Sequence, residues 1–155
     1  MKGLSFAIES DLCNVSLVAV AVNRICRQLG LDELSAAQVE LCIAEAATNA
    51  IRHAYHDEPG HTVAIALAAD QDQLHIEVSD SGTPMPVEQV QKLLHGSPVV
   101  DFEITDRSCL PEGGRGLQII HDVMDEVSYV RLAKLNRLKM RKRLRSSPDA
   151  RQHLQ

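Results

Sequence analysis

The sequence predicts an α/β domain, and three observations support this prediction. Some stretches repeat apolar residues with the 3.6-residue period of a helix, while others alternate them with the two-residue period of a strand. Both kinds of segment occur in each half of the chain, separated by turns and by one long proline-containing stretch. The length of 155 residues is enough for one domain with its own hydrophobic core.

The first third of the chain reads as strand, helix, helix. Residues 4–9 alternate apolar and polar side chains, which predicts a strand. Asp11 is a suitable N-cap for a helix over about residues 12–29. Ser35, with Gln38 three positions later, predicts the capping box of a second helix.

The middle of the chain predicts a β-hairpin followed by a long irregular segment. Residues 61–69 and 73–80 alternate as half-buried strands do, and the acidic turn 70–72 joins them. Residues 83–114 contain four prolines and one short helical pattern near 87–94. Loops of this length inside a compact domain are usually functional or mobile.

The last part of the chain returns to regular periods. Helical spacing resumes at residues 117–124, and residues 126–132 and 136–144 read as a closing pair of strands. We therefore expect one domain over residues 1–145, followed by a tail over residues 146–155.

Charge and cysteine content limit the class of protein. Residues 1–130 carry 7 Lys and Arg against 20 Asp and Glu, whereas residues 131–155 carry 9 against 1. The acidic body of the domain would repel phosphates, so we expect no direct nucleic-acid binding. No apolar run is long enough to span a membrane, and the four cysteines are scattered without metal-site spacing. These features favour a reduced, cytoplasmic protein without a membrane segment.

Residues 40–55 form the central helix of the predicted fold. Its core face is an apolar stripe of helical spacing: Val39, Ile43, Ala46, Ala50 and Ala54. On a different face, Glu45, Asn49 and His53 follow one another at four-residue intervals. A carboxylate and a carboxamide one turn apart, beside small alanines, can hold a metal-bound ligand. The alternative is an ordinary solvated polar face, and this helix alone does not decide between them.

Two glycine motifs follow the central helix. Asp80 and Gly82 stand where the second hairpin strand ends, and Gly114 and Gly116 stand where the last helix begins. Glycines before a helix let the backbone approach an anion, and the free N–H groups of a helix start attract phosphate. Each motif alone is common in ordinary turns, so the information lies in their order along the chain.

The order of these motifs resembles the GHKL ATPase superfamily. Its N, G1 and G2 boxes correspond to residues 45–53, 80–82 and 114–116. The segment EAATNAIRHAY at residues 45–55 is similar to the same helix of the anti-sigma-factor serine-protein kinases of bacteria. This resemblance covers roughly residues 5–145. It implies a two-layer α/β sandwich in which helices cover one face of a mixed, mostly antiparallel sheet and ATP binds beneath a lid.

The resemblance also implies roles for the site residues. Asn49 is expected to bind Mg²⁺ through its carboxamide oxygen, and Glu45 to accept the proton of the attacking hydroxyl. Asp80 is expected to accept a hydrogen bond from the adenine amino group, while Gly82 leaves room for the ring. The remaining expected cofactor-binding residues contact the phosphates or lie near the pocket: His53, Gly114, Arg115, Gly116 and Leu117.

The function implied is that of an ATP-dependent serine/threonine-protein kinase and anti-sigma factor. Such a protein sequesters a sigma factor and phosphorylates a small anti-anti-sigma antagonist of the STAS type, and its family members are commonly homodimers. A nucleotide-sensing module that binds partners without useful phosphotransfer is the alternative, and a stand-alone ATPase is a more remote one. The carboxylate of Glu45 favours the kinase, because a pure binding module needs no base there.

Overall fold

The chain folds into helices and strands in the predicted order. The computed structural model describes residues 2–96 and 115–144. The helices are α1 (Leu12–Gln28), α2 (Glu33–Asn49), α3 (Val87–His95) and α4 (Arg115–Val123). The strands are β1 (Lys2–Glu9), β2 (Thr62–Ala69), β3 (Gln73–Asp80), β4 (Glu126–Leu132) and β5 (Leu135–Arg143). Within these residues no helix has the length and apolar character needed to cross a bilayer.

The five strands form one sheet with the order β1-β2-β3-β5-β4. Every neighbouring pair of these described strands is antiparallel, so the expected mixed sheet is corrected to an antiparallel one. Two tight hairpins explain part of this pattern, because they join β2 to β3 and β4 to β5. In the first, the Asp70 carboxylate accepts hydrogen bonds from the backbone of Asp72 and Gln73. The predicted hairpin is therefore confirmed.

The hydrophobic core lies between the helices and one face of the sheet. Alternate residues of three strands are buried there: Val63, Ile65, Leu67, Leu74, Ile76, Val78, Leu138 and Met140. The five residues of the predicted stripe on the central helix are all buried as well. Helices on one side of a single sheet form the predicted two-layer sandwich.

The start of α2 differs from the prediction. Asp32, not Ser35, is the N-cap, and its carboxylate accepts hydrogen bonds from the backbone N–H and the hydroxyl of Ser35. Both residues are good caps, but an Asp three positions earlier caps the N–H of Ser35 and lets the helix begin at Glu33. The capping box from Ser35 to Gln38 is therefore wrong.

A π-helical segment, Ala50–Ala54, continues α2 without a break. Its wider turn is closed by a hydrogen bond from the N–H of Tyr55 to the carbonyl of Ala50 at 3.0 Å. The chain then reverses through His56 and Asp57, both of which have positive φ. Single π turns of this kind occur often at functional sites.

Candidate functional site

A cavity of about 230 Å³ lies between the end of the central helix and the sheet. The α2 and π-helical residues on one side include Asn49 and His53, and β3 contributes Asp80. Residues 83–86, which follow β3, and Tyr129 on β4 also line the cavity. The structure thus brings together three of the predicted site residues from separate parts of the chain.

Asp80 is the best-defined polar group of the cavity. Its Oδ1 accepts two hydrogen bonds, from the backbone N–H of Gly82 at 3.0 Å and from Nδ2 of Asn136 at 2.8 Å. Its Oδ2 has no hydrogen-bond partner within residues 2–96 and 115–144. Burial raises the pKa of this carboxyl above its ordinary value, although both hydrogen bonds oppose the shift. The carboxylate is therefore fixed in orientation, and one of its two oxygens has no partner among the described residues.

Gly82 allows the turn after β3 to approach the central helix. A Cβ on this residue would lie 2.3 Å from the carbonyl oxygen of Ala54, far inside van der Waals contact. The same oxygen accepts a hydrogen bond from the N–H of Thr83 at 2.9 Å. The absent side chain thus makes room for the backbone of the π-helical segment, a packing reason that the sequence did not reveal.

Asn49 and His53 line the cavity from the helix side. Nδ2 of Asn49 is buried and has no hydrogen-bond partner among the described residues. A buried amide without a partner costs free energy, so this side chain is suited to meeting a ligand. His53 is exposed, which agrees with a position at the rim of the cavity.

Glu45 lies one turn before Asn49 and does not line the cavity. Its carboxylate is turned toward the start of α4, where a Cβ on Gly116 would lie 2.2 Å from Oε2 of Glu45. Gly116 is buried, and its missing side chain is what allows this close approach. The first turn of α4 and Glu45 are therefore direct neighbours.

The other residues predicted at the start of α4 have different environments. Arg115 is exposed at the first helical position. Leu117 is 2% exposed and belongs to the hydrophobic core, so its side chain anchors α4 and does not line the cavity. Gly114 lies outside the described residues, as does most of the expected lid.

Sequence reasoning missed two polar residues that complete the site. Asn136 is 1% exposed, and besides Asp80 its Nδ2 donates to the carbonyls of Gly82 at 3.1 Å and Thr83 at 3.4 Å. Tyr129 accepts a hydrogen bond from the N–H of Met85 at 2.9 Å. The sequence did contain one signal for Asn136. The two-residue period of β5 places this polar residue on the buried face, where an apolar residue is expected.

Comparison with known proteins identifies the family. The model of the histidine kinase-like ATPase domain family matches residues 8–142. The chain belongs to this family. It is 30% identical to the serine-protein kinase RsbW of Bacillus velezensis over 73% of this chain and 68% of that protein. It is 31% identical to the anti-sigma F factor of Oceanobacillus iheyensis over 82% of this chain and 80% of that protein.

A solved structure supports the fold. The structure of a mycobacterial sensor histidine kinase, MprB, superposes with a TM-score of 0.51 and covers 89% of this chain and 97% of that one, at 15% identity. The resemblance to the ATPase superfamily and to its anti-sigma-factor kinases is thus confirmed, as is the two-layer α/β class.

Proposed function

We propose that this protein is an ATP-dependent serine/threonine-protein kinase and anti-sigma factor of a bacterial partner-switching system. One observation carries the proposal most directly. Asp80 and Asn49 line the same cavity, and each presents a polar atom without a hydrogen-bond partner among the described residues. The relatives named as serine-protein kinases and anti-sigma factors support the same conclusion.

Asp80 recognises the base of ATP. Its Oδ1 is occupied by Gly82 and Asn136, so Oδ2 is the acceptor that remains for an exocyclic amino group. Apolar side chains of the cavity, including Val78 and Leu138, supply contact area for the ring. A mostly apolar cavity with a few fixed polar groups is the usual design of a small-molecule site.

Asn49 fits the Mg²⁺ ion that accompanies ATP. Its carboxamide offers an oxygen ligand for the cation and an N–H donor for a phosphate oxygen, and the donor is the atom that lacks a partner. No cluster of three or more His, Cys, Asp or Glu suited to a metal occurs within the described residues. This fits an ion held chiefly by phosphates and water, as Mg²⁺ commonly is. When bound, Mg²⁺ would neutralise negative charge on the phosphates.

Glu45 acts as the general base toward the hydroxyl of the protein substrate. It lies one turn from Asn49 and against the start of α4. The first N–H groups of a helix lack partners within the helix and are suited to binding phosphate. Gly114, Arg115 and Gly116 contact the phosphates from this side. The carboxylate takes the hydroxyl proton as the oxygen attacks the terminal phosphorus of ATP, and ADP leaves.

The partners follow from the same scheme. The protein binds a sigma factor and phosphorylates a serine or threonine of a small antagonist of the STAS type, which then dissociates. It acts as a homodimer in the cytoplasm. Neither nucleic acid nor a membrane surface takes part.

Phosphotransfer from labelled ATP to a purified antagonist tests the proposal. Glu45→Gln is expected to bind ATP normally but to lose about 10²–10⁴ in rate, the usual contribution of a general base. Glu40→Gln is the matched control: Glu40 lies on the same helix, and its carboxylate accepts a hydrogen bond from Asn23 at 2.8 Å. Phosphotransfer by Glu45→Gln at the rate of the control would remove Glu45 from the mechanism.

A nucleotide-sensing module without useful phosphotransfer is the second candidate. The observation in its favour is that Glu45 does not line the cavity and packs against Gly116. If the wild-type protein binds ATP and antagonist but transfers no label, this second function replaces the first.

A further inference from the structure

The two tyrosines of the chain hold turn residues in the same way but differ in one hydrogen bond. Tyr55 accepts a hydrogen bond from the N–H of Ser81 at 2.9 Å and donates its own proton to the carbonyl of Thr62 at 2.7 Å. Tyr129 accepts from the N–H of Met85 at 2.9 Å, but its proton has no acceptor within residues 2–96 and 115–144. The hydroxyl of Tyr55 is fully used, whereas that of Tyr129 has a donor left over.

The two side chains also differ in position. Tyr129 lines the cavity together with Asp80, whereas Tyr55 is not part of its wall. Burial raises the pKa of Tyr129 above the ordinary value of 10.0, and the nearby charge of Asp80 acts in the same direction. The phenol therefore keeps its proton at neutral pH and remains a hydrogen-bond donor.

We propose that Tyr129 determines base specificity: its hydroxyl donates to a ring nitrogen that flanks the adenine amino group, while Oδ2 of Asp80 accepts from that amino group. The assignment rests on the ATP binding proposed above. It gives the cavity one fixed acceptor and one fixed donor, held on β3 and β4 of the same sheet.

This pair of groups matches adenine and mismatches guanine. Adenine presents an amino donor at C6 and a ring-nitrogen acceptor beside it at N1. Guanine presents a carbonyl acceptor at C6, which would face the acceptor Oδ2 of Asp80. Its N1 carries an N–H donor, which would face the Tyr129 donor if that hydroxyl binds N1, whereas N7 is an acceptor in both bases. When the buried polar groups of a site find no partner on the wrong ligand, the site discriminates strongly against that ligand.

Nucleotide affinities measured by calorimetry test the role of Tyr129. The ligands are ATP and its 1-deaza, 7-deaza and 3-deaza analogues, each of which replaces one ring nitrogen by carbon. The wild-type protein is expected to prefer ATP over the 1-deaza or the 7-deaza analogue. In Tyr129→Phe that preference is expected to shrink by about 2-fold to 10-fold, the value of one neutral hydrogen bond. An unchanged preference over both analogues, or a change confined to the 3-deaza analogue, would overturn the assignment.

Tyr55→Phe separates specificity from structural support. Both variants remove a hydroxyl that accepts a backbone N–H beside the site, so both are expected to weaken binding of every nucleotide. Only Tyr129→Phe is expected to alter the ratio between ATP and a deaza analogue. If the wild-type protein bound no ATP, the proposed function would fail with the inference. If ATP bound and depended on Asp80 but the ratios did not move, the inference alone would fail.

Discussion

The two ends of the proposed nucleotide site are built differently. We call Asp80, Asn136 and Tyr129 the base end, and Glu45, Asn49 and Gly116 the phosphate end. At the base end the polar groups bind one another and nearby backbone, which leaves Oδ2 of Asp80 and the hydroxyl proton of Tyr129 available to the ligand. At the phosphate end Nδ2 of Asn49 has no partner among the described residues, and the side chain of Glu45 packs closely on Gly116 without a hydrogen bond to another described residue.

This difference indicates where selectivity and where charge dependence reside. Groups fixed before binding pay little ordering entropy when the ligand arrives, so the base end is suited to choosing the ligand. Groups that lack partners until a charged ligand binds are expected to respond to phosphate and to cations. We therefore expect the phosphate end to determine the Mg²⁺ dependence of ATP binding and the rate of phosphotransfer. The following predictions test this division.

Asn49→Ala is expected to have the largest effect, the loss of Mg²⁺-dependent ATP binding. The variant removes the only carboxamide that lines the cavity from α2, while the base end stays intact. Calorimetric titration with and without Mg²⁺ measures the effect. Asn23→Ala is the control, because Asn23 binds Glu40 on the surface of the helix pair. Unchanged Mg²⁺ dependence in Asn49→Ala would remove this residue from the metal site.

Gly116→Ala is expected to reduce phosphotransfer by about 10², the cost of a displacement near 1 Å in an active site. The new Cβ would meet the flexible end of Glu45, so the carboxylate moves while the fold persists. Single-turnover kinetics and thermal unfolding measure the two quantities separately. Gly3→Ala is the matched control, since its nearest neighbour would lie at an ordinary 3.6 Å. Equal rates for the two variants would show that the position of Glu45 does not limit the reaction.

Asp80→Asn is expected to weaken ATP binding by about tenfold or more, because an amide N–H would face the adenine amino group in place of Oδ2. Its carbonyl oxygen still accepts from Gly82 and Asn136, so the fold is retained.

The same variant carries a pH signature. Burial raises the pKa of Asp80 in the folded protein above its value in the unfolded chain. The wild-type protein therefore loses stability as the pH rises from the unfolded value through the raised pKa. Chemical denaturation should therefore show Asp80→Asn gaining stability relative to the wild type as the pH rises from 3.8 through the raised pKa. Relative stability that falls over this interval would contradict the burial argument.

The basic face of β5 is expected to have the smallest effect on the site. This face consists of Arg137, Lys139, Arg141 and Arg143, on the side of the sheet away from the helices. Arg137 pairs with Glu77 at 3.8 Å and Arg141 pairs with Glu126, so part of its charge is balanced within the domain. Exposed pairs of this kind contribute about 0–1 kcal/mol each.

The triple variant Arg137→Gln, Lys139→Gln, Arg141→Gln should therefore bind ATP as the wild type does. Its association with an acidic partner should be slower and less dependent on salt. Stopped-flow association measured across ionic strength tests this expectation. Association at the wild-type rate under all conditions would make the face a solvated surface only.

The helices and strands could be predicted well from the sequence, because the spacing of their apolar residues is a local property. The core stripe of the central helix and the alternation of β2 and β3 follow from spacing alone, and all the predicted core positions of these elements are buried. Asp80 and Asn49, which line one cavity, could be singled out from the sequence because they belong to motifs in a fixed order. The cap of α2 was missed because Asp32 and Ser35 are both good N-caps, and only the path of the chain after α1 decides between them.

The rest of the site depends on contacts that no local pattern encodes. Asn136 reaches Asp80 because the register of β5 against β3 places these two residues opposite each other. Tyr129 reaches Met85 across 44 positions of sequence. The π turn occurs in an alanine-rich stretch with no breaker residue, where the turn after β3 binds Ala54 and fixes the end of the helix. Contacts between residues so far apart in the sequence can be recognised only once the register of the strands is known.

The carbonyl of Ala54 has a further consequence for local unfolding. A helix end normally frays by itself, because its last carbonyls are free to bind water. Here the last turn is tied to the N–H of Thr83, three residues beyond the strand that carries Asp80, and Gly82 packs against the same peptide group. Opening the helix end therefore breaks the contact with the turn over residues 81–83. Amide protons of Ile51, Arg52 and Tyr55, none of which lines the cavity, should therefore exchange more slowly when ATP is bound.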